Sequence, residues 1–66
     1  MKYLIYTDYY VTRMYFVEHK GAGFKISMNP EKAKTYDDLK EARLASIELT
    51  ATTGMKAEVT KKPQIL

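Results

Sequence analysis

DDLKEARLASIELTATTG, residues 37–54, is the one stretch long and regular enough to predict a stable helix. Asp38 stands three residues before Glu41, the spacing of a capping box, in which the first side chain accepts from the first turn and the second reaches back. Asp37 and Asp38 also put negative charge at the positive end of the helix dipole. Residues 39–49 are mostly good helix formers, and Gly54 supplies a left-handed stop. Thr50, Thr52 and Thr53 have weaker helix propensity, which predicts fraying in the last turn. At about 100° per residue, Leu39, Ala42, Ala45 and Leu49 form one apolar stripe. Leu44, Ile47 and Ala51 form a second, with Arg43 and Thr50 between the two. The first is expected to hold the fold and the second to stay available to a partner.

The remaining segments are short and strand-like. YLIYTDYY, residues 3–10, is rich in aromatic and β-branched side chains, with large residues on both faces. A turn is expected between Asp8 and Thr12, followed by a second strand, MYFVEHK, residues 14–20. Gly21-Ala22-Gly23 reads as a hairpin turn. In FKISM, residues 24–28, Phe24, Ile26 and Met28 alternate with Lys25 and Ser27. Asn29-Pro30 suits the start of a single helical turn, and Tyr36 precedes the helix cap. After Gly54, Met55, Ala57 and Val59 alternate with polar residues in a last half-buried strand. Pro63 ends it, leaving residues 63–66 as a tail to a single domain over residues 1–62.

This order predicts an α+β fold: a three-stranded antiparallel meander, one helix on one sheet face, and a final strand parallel to the first, in spatial order 3-2-1-4. The expected core is Ile5 or Leu4, Phe16 or Val17, Phe24, Ile26, Leu39, Ala42, Leu49, Ala57 and Val59. At 66 residues without cysteine, the chain has no disulfide to supplement a small core. Its hydrophobic content of 45% argues for a folded domain. The opening MKYLIYTDYY lacks the apolar run of a signal peptide, and no run approaches a membrane span, so a soluble, unexported protein is expected.

No residues spell a reaction. His19, the single histidine, has no nucleophile or carboxylate at a telling spacing, and a solvated strand-end residue is the simpler reading. Asp37, Asp38 and Glu41 offer too few oxygens for a calcium loop, and capping accounts for them. Gly21-Ala22-Gly23 lacks the lysine and following helix of a phosphate loop. Neither a metal, a cofactor nor an enzymatic activity is expected.

The six tyrosines are the stronger signal, five of them in the first two strands. Tyrosine is enriched at protein interfaces, which makes Tyr6, Tyr9, Tyr10, Arg13, Tyr15, Leu44 and Ile47 the candidate partner-binding residues. The net charge of +3 is mildly basic. An alternative single-stranded nucleic-acid platform would use Lys2, Tyr6, Arg13, Lys20, Lys25 and Lys56. A structural homodimer closed at Leu44 and Ile47 is a third reading.

AKTYDDLKEA, residues 33–42, followed by a helix, a glycine and a short alternating strand, resembles a pattern in small accessory proteins of phages and prophages of Gram-positive bacteria. Those chains typically open with an aromatic hairpin, as MKYLIYTDYY and MYFVEHK do here. The resemblance implies a non-enzymatic protein in the host cytoplasm that docks on a host enzyme. Inhibitors of bacterial defence, including anti-CRISPR proteins directed at a nuclease or ribonucleoprotein, belong to this pool. A mildly basic inhibitor of this kind would engage an acidic protein surface or a bound nucleic acid rather than mimic DNA.

Overall fold

A computed structural model describes residues 1–20 and 23–62. The elements are β1 (Tyr3–Tyr9), β2 (Thr12–Lys20), β3 (Gly23–Ser27), a 3-10 turn (Pro30–Lys32), α1 (Leu39–Thr53) and β4 (Glu58–Lys61). The strands form one sheet in the order β3-β2-β1-β4, and α1 packs on it. The fold is therefore α+β with the expected strand order. The tail at residues 63–66 and most of the expected turn at residues 21–23 lie outside the described residues.

The expected parallel pairing of the last strand is overturned. β4 runs antiparallel to β1, with Tyr3 opposite Lys61 and Tyr6 opposite Glu58. The cause is where the chain turns back. β3 ends at Ser27, level with Tyr15 in the middle of the sheet. The chain then returns through the 3-10 turn, and Lys34 N–H donates to the Phe16 carbonyl at 3.1 Å. Tyr36 exchanges backbone bonds of 2.8 and 2.9 Å with Tyr3, at the start of β1. The return is thus complete before the helix begins. α1, 15 residues and about 22 Å long, climbs back along the sheet, and β4 must descend.

Ile5, Phe16, Leu49 and Ala57 form the core between helix and sheet, with Ile26, Tyr36, Ala45, Met55 and Val59 packed around them. On α1, Ala42, Ser46 and Leu49 are buried, while Leu44 and Ile47 are exposed. Full burial of a side chain such as Ile5 stabilises by about 1.5–3 kcal/mol. Leu4, on the other face of the sheet, is fully buried too. Lys62 shares that face, and its Nζ lies 3.7 Å from Glu31 Oε2 in the 3-10 turn, which packs beside β2. The turn thereby shields the lower end of the helix-free face. Phe24, expected in the core, is exposed on edge strand β3, with its ring 6.1 Å from that of Phe16.

The helix ends combine expected and unexpected chemistry. Asp38 is the N-cap and accepts from Lys40 N–H at 3.1 Å, but no reciprocal bond from Glu41 completes a capping box among the described residues. Gly54 takes the left-handed conformation, φ 76°, and its N–H donates to the Thr50 carbonyl. The threonines expected to loosen the last turn lie within the helix, which runs to Thr53, and two of them also bond beyond it. Thr50 donates to the Ser46 carbonyl and accepts from Ala57 N–H at 2.9 Å. Thr53 donates to the Leu49 carbonyl and accepts from Met55 N–H. A hydroxyl both donates and accepts, so these side chains fasten the helix to the segment leading into β4.

Candidate functional site

Three of the tyrosine-face candidates come together on the side of the sheet away from α1. Glu58, Tyr6, Tyr15 and Ser27 stand opposite one another in a row that crosses all four strands. The Tyr6 and Tyr15 rings are 6.4 Å apart. The Arg13 guanidinium lies 3.9 Å above the Tyr6 ring, a cation–π contact, and its Nε is 3.8 Å from Asp8 Oδ1. The Tyr6 hydroxyl donates to Glu58 Oε2 at 2.9 Å, and Glu58 Oε1 is 3.3 Å from Lys56 Nζ.

The result is an alternating chain of charge, Asp8, Arg13, Glu58 and Lys56, strung over two aromatic rings. The bond from Tyr6, reinforced by Lys56, holds the Glu58 carboxyl below the ordinary glutamate range. The same bond, with some burial, raises the Tyr6 phenol above the ordinary tyrosine value. Both shifts favour a neutral phenol donating to an ionised carboxylate. Glu58 carried no signal in the sequence, because a parallel β4 would not have placed it opposite Tyr6.

Beyond this row, the β1–β2 hairpin ends in a two-residue loop, Tyr10-Val11, within the stretch where a turn was expected. Tyr10 has φ 58°, the one positive value at a non-glycine residue among those described. A positive φ at the first loop position is characteristic of a II′ hairpin turn, where glycine is usual. Tyr10 and Val11 are 87% and 101% exposed, and Tyr9 is exposed beside them, its ring edge-on to Tyr10 at 4.7 Å. An open concavity of about 460 Å³ lies between this apex and Met55-Lys56.

The other candidates are dispersed. Leu44 and Ile47, 61% and 67% exposed, stand on α1, away from the tyrosine row. Of the alternative nucleic-acid set, Lys2 pairs with Asp37, Arg13 with Asp8, and Lys56 with Glu58. Lys25 is exposed on β3, opposite Glu18. The side chain of Lys20 lies outside the description.

His19 is not the solvated strand-end residue expected. A register shift between Phe16 and Glu18 makes Val17 an extra residue in β2. His19 is thereby turned to the helix side, opposite Phe24. Its Nε2 is buried with no hydrogen-bond partner among the described residues, beside a cavity of about 230 Å³ that Tyr36 and Glu48 also line. Burial, and then the charge of Glu48, raise the Tyr36 phenol. Among the described residues, no group of three or more histidine, cysteine or carboxylate side chains converges as a metal site. No helix there is long and apolar enough to cross a membrane. In comparisons with known proteins, no family model, curated protein or solved structure matches the chain.

Proposed function

We propose that this is a non-enzymatic binding protein that docks on a protein partner through the β1–β2 hairpin, with the Tyr9-Tyr10-Val11 apex as its anchor and the Tyr6-Tyr15-Arg13 row as its flank. The observation that carries the reading is the apex. A tyrosine held at positive φ costs about 1–3 kcal/mol, and here the strain presents adjacent apolar side chains to solvent. Tyrosine and arginine are the residue types that dominate binding hot spots. A phosphate-binding platform needs unpaired cations, whereas Lys2, Arg13 and Lys56 each stand beside a carboxylate. That pairing favours a protein partner over nucleic acid. The net charge of +3 favours an acidic partner surface. The resemblance to phage accessory proteins supports a bacterial defence enzyme, such as a CRISPR nuclease, as that partner.

The test is binding to a panel of purified CRISPR nucleases and restriction enzymes, alongside single-stranded DNA and RNA. The expected result is one protein bound by the wild type, with affinity falling at least about tenfold in Tyr10→Ala with Val11→Ala, as for loss of an anchor worth about 1.4 kcal/mol. Binding that survives the double substitution, or affinity for nucleic acid alone with a steep salt dependence, would reverse the reading.

A further inference from the structure

A second surface follows the β4 edge and adjoins the hairpin concavity at Lys56, which lines both. β4 is an edge strand. Lys62 N–H donates to the Lys2 carbonyl at 2.9 Å, and residues 58 and 60 keep the same phase against β1. The alternation of an antiparallel ladder therefore points the N–H and C=O groups of Val59 and Lys61 outward. No described residue bonds to them there. One step earlier, Ala57 N–H is already taken by Thr50 Oγ1, so the open edge begins at Val59.

Along this edge, α1 and β4 leave a cleft with two open depressions, of about 260 and 370 Å³. Leu39 and Val59 line the first, with Arg43 and Lys61 at its rim. Ile47 and Ala57 line the second, with Lys56 beside them. Lys56 is paired with Glu58, but Arg43 and Lys61 line the first depression with no carboxylate beside them among its lining residues. Val59 and Lys61 are two residues apart and project to the same, helix-facing side.

We infer that the α1–β4 cleft takes an extended acidic peptide segment as a fifth strand on the β4 edge. The geometry specifies the occupant. Backbone groups of the segment pair with Val59 and Lys61, as in strand addition to an exposed edge. Its alternate side chains face the cleft. An apolar one seats against Val59 and Ile47, and a carboxylate two positions away meets Lys61 and Arg43. Strand addition supplies affinity through the main chain, and the apolar–acidic spacing supplies selectivity.

The experiment titrates the ¹⁵N-labelled full chain with an end-blocked pentapeptide, Glu-Thr-Ile-Thr-Glu, whose symmetry serves either strand direction. Amide shifts centred on Ile47, Val59 and Lys61, with slowed hydrogen exchange at Val59 and Lys61, are the expected result. The charge-reversed peptide Lys-Thr-Ile-Thr-Lys should bind at least about tenfold more weakly, and Arg43→Glu should weaken the acidic peptide by a similar factor. Val59→Pro removes the outward N–H, together with part of a side chain that packs on the core, and should abolish binding. Should it disturb the fold, Arg43→Glu, on the helix surface, carries the test. The inference is overturned if the shifts fall on β3 or the hairpin apex, or if the two peptides bind alike. It is equally overturned if the same amides shift with protein concentration alone, which assigns the edge to a second copy, or if oligo(dT) perturbs them as strongly, which assigns it to nucleic acid.

Discussion

Tyr10 shows how one residue can set stability against function. Its φ of 58° suits glycine, because a side-chain Cβ crowds the backbone there. Replacing it with glycine relieves that crowding while removing an anchor of the proposed interface. Tyr10→Gly should therefore raise the free energy of unfolding by up to about 1 kcal/mol in urea denaturation, and partner affinity should fall. A variant less stable than wild type would show that the conformation carries no strain. The sequence locates the turn, since the opening hairpin has to reverse between Asp8 and Thr12. It does not reveal the strain, because no glycine, asparagine or aspartate marks the loop itself. The setting of His19 is hidden for a comparable reason. An extra residue in β2 changes which face every later side chain occupies, and nothing in MYFVEHK announces the bulge.

At the level of the element, α1 is the part most legible in the sequence. Its cap at Asp38, its stop at Gly54 and its two stripes all follow from local pattern, and burial separates the stripes as the spacing predicts. The stop allows a clean measurement. A Cβ built on Gly54 meets nothing within 4 Å, so the cost of Gly54→Ala is conformational alone. Thermal or urea denaturation should show a loss of about 1–2 kcal/mol. A neutral result would mean that the left-handed geometry is not what ends the helix. The threonines resisted reading because their partners, Ala57 N–H and Met55 N–H, lie beyond the helix. Propensity describes a side chain against its own helix, and these hydroxyls work between elements.

For the whole molecule, the long-range polar contacts make stability depend on pH with a definite sign. Glu58 and Asp37 are both held below their ordinary values, Glu58 chiefly by the Tyr6 hydroxyl and Asp37 by the hydrogen bond from Lys2. A depressed carboxylate stabilises the fold above its unfolded-state pKa, and that contribution is lost as pH falls through the folded value. The raised Tyr6 phenol has the opposite sense. Its contribution is complete below the unfolded tyrosine value and is lost as pH rises through the folded one. Stability should therefore decline at both extremes. Tyr6→Phe should flatten the acid limb below about pH 5 and abolish its own share of the alkaline one. Denaturation curves of the two proteins across pH, with an unchanged acid limb in the variant, would exclude the Tyr6–Glu58 bond as the source.

From sequence alone, local physics determined the elements: strand propensity and alternation, the capped helix with two stripes, the single turn at Asn29-Pro30, and a strand order that short connections nearly dictate. Tertiary structure decided the direction of β4, because the length of the backtrack from Ser27 to Tyr36 depends on pairing with Tyr3 that no local pattern encodes. That direction sets Glu58 opposite Tyr6 and leaves the outward groups of Val59 and Lys61 beside the helix. Both candidate surfaces therefore rest on register, and register is a property of two segments at once. A chain read one residue at a time carries the period of each strand but not the phase between them.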